Sequence, residues 1–198
     1  MTAKEFIAFV KKECKYYGVK VSLRRSKSCI YDKQTMSGCF DDMAMVIVCA
    51  MKRDDYLSIL AHEYCHLRQW AEKADVWMAA NEAKSYKAWG DHMAGKKVDM
   101  DIHFQIMRDL ELDNEKRTVA LIKKLDLPID VSRYIRKANA YVMLYNYMRI
   151  TGKWAKPGNT PYNNERIISA MPDKFSLNYS RISARIAKIF REEGIGER

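Results

Sequence analysis

Between residues 43 and 70 the hydrophobic period of the chain changes, and that change restricts the folds open to it. Met43 to Met51 is a continuous apolar run containing neither glycine nor proline. Its length suits a buried or half-buried strand better than a helix. Asp54 or Asp55 then caps a helix in which Leu57, Ile59, Leu60, Glu63, His66 and Trp70 continue a helical pattern that can extend toward Trp77. A strand followed by a helix implies an α+β chain.

The flanking segments fill out an α+β chain. Thr2 and Glu5 have capping-box spacing ahead of Phe6, Phe9, Val10 and Cys14, and Gly18 closes that helix. Short strands are expected at Val19–Leu23, Cys29–Tyr31 and Gly38–Phe40. Residues 72–90 read as helical but poorly patterned, punctuated by Gly90 and Gly95. Asp99 or Asp101 opens a long helix that ends before Pro128, and Asp130 opens another, closed by Gly152. Residues 153–164, with Pro157, Gly158 and Pro161, form a loop, and a last helix is expected from about Asn178 to Glu193, burying Ile182, Ile186 and Ile189. The result is one domain over 1–198: a small N-terminal sheet followed by mostly helical structure, with 131–198 as a helical C-terminal subdomain.

Composition sets further bounds. At 48% apolar and 30% charged residues, the chain is globular in type. No apolar run approaches the ~20 residues of a membrane span, and the first residues carry lysines within an amphipathic helix rather than a signal peptide. The five cysteines (14, 29, 39, 49 and 65) are odd in number and form no CxxC pair, so free thiols and a cytoplasmic location are expected. Charge is uneven: residues 1–53 carry +6, residues 54–130 carry −4 and residues 131–198 carry +8. Basic ends around an acidic middle fit a carboxylate-bearing metal site, and they also admit nucleic acid as a partner.

The chemistry concentrates in His62-Glu63-Tyr64-Cys65-His66, an HExxH motif. Four residues apart on a helix, the two imidazoles stand one turn above each other and can reach one ion. Zinc suits neutral imidazole and carboxylate donors, and a catalytic site joins three protein ligands to an open water position. Glu63 is placed to act as general base on that water rather than to bind the metal. Cys65 points away from both histidines and reads as a packed thiol. A carboxylate partner is present on the long helix, where Glu111 and Glu115 continue the stripe Met107, Glu111, Glu115, Thr118, Ile122. Two carboxylates on the apolar side of a helix are costly unless a cation or hydrogen bonds meet them. Asp109, Asp113 and Arg117 fall elsewhere on that helix and read as solvated.

This pair of helices resembles the gluzincin branch of the HExxH metallopeptidases, in which HExxH is followed by a helix bearing ExxxD. The resemblance implies a zincin-like fold and zinc-dependent hydrolysis of a protein or peptide. It implies Glu111 as third zinc ligand and gives Glu115 the aspartate's task of orienting a ligand histidine. Glutamate in place of aspartate at 115 leaves the reverse assignment open. Residues 38–125, with Gly-Cys-Phe-Asp at 38–41 before the motif, also look like small metallopeptidases encoded by phages and prophages, which implies a host cytoplasm as the place of action.

Other ligands are less well placed. A metzincin would continue HExxHxxGxxH, but Gln69 stands for the glycine and Glu72 for the last histidine, ~9 Å along the helix axis from His66. His103 is ~12 Å along its helix from Glu111, so the two cannot share an ion directly, and it reads as a surface histidine, with a substrate-facing or transition-state group as the functional alternative. His92 is a weaker alternative ligand. Tyr134, Tyr141 and Tyr145 form a stripe that reads as core, with an oxyanion donor as the functional alternative. The apolar run at 43–51 reads as a simple core strand or, as the resemblance to zincins implies, as an edge strand that takes an extended peptide. The rival to a peptidase is a basic nucleic-acid-associated protein with a structural or vestigial metal site, or a protease of the SprT-like, DNA-associated kind.

Overall fold

The computed structural model describes residues 1–31, 34–156 and 158–196; Pro157, expected in a loop, lies outside them. Backbone contacts group the chain into two compact units, Met1–Ala74 with Arg117–Ile129 and Asp75–Lys116 with Asp130–Arg198. Among the described residues no helix is long and apolar enough to cross a membrane.

The first unit is the α+β part. Helix α1 (Ala3–Tyr16) starts with the capping box read from the sequence: the Thr2 side chain accepts from Glu5 N, and Glu5 accepts from Thr2 N at 2.8 Å. Gly18 follows the helix at a positive φ of 72°. Strands β1 (Lys20–Arg24), β4 (Gly38–Asp41) and β5 (Val46–Ala50) form a sheet of order β1-β5-β4, with β5 parallel to β1 and antiparallel to β4. Strands β2 (Cys29–Tyr31) and β3 (Gln34–Met36) pair as a separate antiparallel ribbon. Helix α2 (Tyr56–Ala71) packs against β4 and β5.

The apolar run at 43–51 is corrected in two ways. Its first residues belong to a turn: Asp41 Oδ1 accepts from Ala44 N at 2.7 Å, Met45 takes a φ of 50°, and Met43 is exposed. The remaining strand is central, which bears out the core-strand reading and corrects the edge-strand one. Val48 and Ala50 cluster with Cys29, and with Tyr31, Met36 and Cys39, on one side. On the strand's other face Cys49 Sγ lies 3.6 Å from the Tyr56 carbonyl of α2. A strand covered on both faces has no polar alternation, which is why the run reads as unbroken. The edge beside α2 belongs to β4.

Helix α2 also departs from expectation at its ends. Asp55 occupies the N-cap, but its carboxylate binds Arg53 at 2.8 Å instead of a backbone N–H. The helix stops at Ala71, short of Trp77, because Lys73 adopts a φ of 51° and Ala74 N turns back to the Gln69 carbonyl. Glu72, just past the end, accepts from Arg68 and from Arg117 Nη1 at 2.6 Å. Trp70 packs edge-on against Phe40 and Tyr17.

The second unit is helical: α3 (Asp75–Glu82), α4 (Ser85–Met93), α5 (Asp101–Lys124) up to Lys116, α6 (Val131–Thr151), a 3-10 turn at Pro161–Asn163, α7 (Glu165–Ala170) and α8 (Ala184–Glu192). Asp130 caps α6 by accepting from Arg133 N, and Gly152 ends it at a φ of 66°. The last helix begins later than expected. Between residues 176 and 180 the Ser176 and Asn178 side chains take the backbone N–H groups of Asn178 and Ser180, a local alternative to helix, and Ser183 is the true cap. Its buried anchor is Phe190, whereas Ile182, Ile186 and Ile189 are half-buried. Helix α7, with Ile167 and Ile168 buried, lies in a stretch that carried no helical expectation.

Candidate metal centre

Helix α2 is buried nearly all round, through Leu57, Leu60, Ala61, Tyr64 and Leu67 as well as Glu63, His66 and Gln69. Polar groups on such a helix are costly unless each finds a partner. His62 and His66 sit one turn apart with ring centroids 4.7 Å apart and ring planes at 86°. Their Nε2 atoms face each other at 3.1 Å. The ligating atoms of His62, Glu63 and His66 all lie within 4.8 Å of one another, the one such group of three among the described residues.

Gln69 sets the state of His66. Its amide oxygen lies 2.8 Å from His66 Nδ1, and the side chain is fully buried. An amide oxygen only accepts, so Nδ1 carries a proton, which makes Nε2 the lone-pair nitrogen of the neutral ring. The donors fit zinc: two imidazole Nε2 atoms 3.1 Å apart, beside a carboxylate, are close enough to share one such ion. Gln69 was not foreseen as part of the site, although its place three residues after His66 puts it on the same helix face.

Glu63 lies against β4. A Cβ added to Gly38 would stand 3.1 Å from Glu63 Oε1 and 2.6 Å from Ile59 Cγ2, so only glycine lets strand and helix come this close. Burial first, and then the Glu63 charge, push the Cys39 and Cys49 thiols up to about 12. Cys65 is buried, and all five cysteines are free thiols.

Glu111 and Glu115 belong to the helical unit and are buried, as are Met107, Thr118 and Ile122 of the same stripe. The Tyr134 hydroxyl donates to Glu115 Oε2. Tyr141 and Tyr145 share a hydroxyl contact of 3.1 Å. Burial first, and then the Glu111 charge, raise both phenols well above their ordinary value. The tyrosine stripe is therefore packed, with Tyr134 and Tyr145 buried and Tyr141 half-buried, and Tyr134 holds Glu115. His103 Nδ1 meets Ser85 Oγ at 3.1 Å, and His92 packs edge-on against Phe104. Glu72, which helix geometry excluded as a ligand, is taken by its two arginines.

No family model, curated protein or solved structure matches this chain. The functional reading therefore stands on the donor set itself.

That donor set makes Gln69 testable. With His66 as a zinc ligand, Gln69→Leu would weaken zinc binding about 10- to 100-fold, the usual effect of removing a ligand histidine's supporting acceptor. Gln69→Glu, which keeps an acceptor oxygen, should restore most of the affinity. Competition against a chromophoric chelator measures both, and a leucine variant that binds as tightly as wild type would refute the assignment.

Proposed function

We propose that this chain is a zincin-like, zinc-dependent peptidase in which His62, His66 and Glu111 hold the metal and Glu63 is the general base. The observation that carries this reading is the 3.1 Å approach of two Nε2 atoms beside a buried carboxylate, with one imidazole locked by Gln69 in its metal-binding tautomer. Bound zinc would polarise the scissile carbonyl and bring the pKa of a bound water toward ~7. Glu63 takes the proton of the attacking water and passes it to the leaving amide nitrogen as the C–O bond forms and the C–N bond breaks. The edge strand β4 supplies backbone groups for an extended peptide, which would pair ~4.8 Å away. Gly38 of that strand is the residue packed against Glu63.

The choice of Glu111 over Glu115 is supported by the bond from Tyr134, which engages one Glu115 oxygen and suits it to orienting a histidine rather than binding the ion. Metal analysis of zinc-loaded, desalted protein tests the whole set. Wild type should hold one zinc per chain, while His62→Ala, His66→Ala and Glu111→Ala should hold none. Glu115→Ala should keep the metal with affinity lowered about 10- to 100-fold. Zinc lost from Glu115→Ala but kept by Glu111→Ala would reverse the two roles, and zinc fully kept by His66→Ala would end the proposal.

A further inference from the structure

We propose that the helical unit carries a binding surface for the phosphate backbone of nucleic acid, along the outer face of α8 and the segments beside it. Residues 131–198 hold 13 basic and 5 acidic side chains. The described acids are already committed: Glu165 to Arg133, Asp173 to Arg136, and Glu192 with Glu193 to Arg166. Lys153, Lys156, Lys174, Arg181, Arg185 and Arg191 have no acidic partner among the described residues, and all six are exposed. Lys188, also exposed, reaches Glu192 only at 3.8 Å.

Helix α8 lines several of these cations up. Phe190 is fully buried, which turns that side of the helix inward. Arg185, Lys188 and Arg191, three residues apart, fall on the side away from it. Arg185 to Arg191 spans ~9 Å of helix axis, long enough for its cations to meet successive phosphates of one strand. Arg181 extends the row before the helix. At the other end Gly196 packs against Thr151 and the Lys153 carbonyl, and Asn159 Nδ2 donates to the Glu193 carbonyl at 2.9 Å. Those contacts bring Lys153 and the loop carrying Lys156 to the Arg191 end.

Two features favour nucleic acid over other anionic partners. Three of the four cations along α8 and its approach are arginines, whose planar fork matches phosphate oxygens. The helix exposes no large apolar side chain, so it lacks what an interfacial membrane helix inserts. The inference does not depend on the peptidase reading, and Glu63→Gln should bind as wild type does.

Fluorescence anisotropy of a labelled DNA duplex of about 20 base pairs, titrated with the full chain, tests the proposal. Wild type should lose about 100-fold in affinity between roughly 50 and 200 mM salt, the slope expected for about four phosphate contacts. Replacing Arg181, Arg185 and Arg191 together by alanine should weaken binding at least tenfold and reduce the slope by about 3. Replacing Lys4, Lys11 and Lys12 on α1 changes the charge equally and should leave the slope unchanged. All six side chains are exposed, and matched thermal midpoints would show that both variants fold. Salt-insensitive or absent wild-type binding would overturn the proposal. So would equal losses in the two triple variants, or polyglutamate of equal charge binding as tightly as the duplex.

Discussion

Glu63→Gln is expected to slow peptide hydrolysis by about 10²- to 10⁴-fold, the span of general-base catalysis, while zinc content and thermal midpoint stay at wild-type values. The side chain is buried on α2 against Gly38 of β4. Glutamine matches its size, so the close approach of helix and strand is preserved. What disappears is the carboxylate basicity that the proposed mechanism requires, because an amide oxygen does not take a proton from water. The exchange alters neither the paired Nε2 atoms of His62 and His66 nor the Gln69 bond to His66. Rate and metal content should therefore separate in this variant, whereas His66→Ala should lose both. Cleavage of a casein-derived fluorogenic substrate, run beside metal analysis of the same preparation, reads the two together. A glutamine variant with undiminished turnover would mean that Glu63 is not the base.

The parts of this architecture that the sequence disclosed are those written in short-range chemistry. Thr2 with Glu5, Gly18, Asp130 and Gly152 mark helix ends because each meets a backbone group within a few residues. His62, Glu63 and His66 were legible for the same reason, since helix pitch alone brings the imidazoles together. Where distant contacts decide, the pattern misled. Val46–Ala50 is apolar because β1 and β4 flank it and both faces are covered, and nothing within the run separates it from the turn residues Met43 to Met45. Lys73 ends α2 in a left-handed conformation that usually calls for glycine, so the break before Trp77 carried no signal. The bond from Tyr134 to Glu115 joins two helices, and the tyrosine spacing alone could disclose only a packed face.

Gly38→Ala should couple the strand to the chemistry more directly than any change outside α2. The new methyl would stand 2.6 Å from Ile59 Cγ2 and 3.1 Å from both Glu63 Oε1 and the Val48 carbonyl oxygen. The carbonyl belongs to the central strand and cannot retreat, so the strain falls on Ile59 and Glu63. Overpacking of this kind costs about 1–3 kcal/mol. A base displaced by about 1 Å loses on the order of 10²-fold in rate. Urea denaturation and the peptide assay should therefore both register the change, with zinc content retained because the three atoms nearest the added group belong to Ile59, Glu63 and Val48 rather than to an imidazole. Adding Ile59→Ala removes the closest clash, so the double variant should recover stability relative to the sum of the single losses, a non-additivity expected of residues in contact. Recovery of stability without recovery of rate would place the damage at Glu63 alone. If Gly38→Ala matched wild type in both assays, the close seating of Glu63 against β4, and with it the route proposed for substrate along that strand, would have to be abandoned.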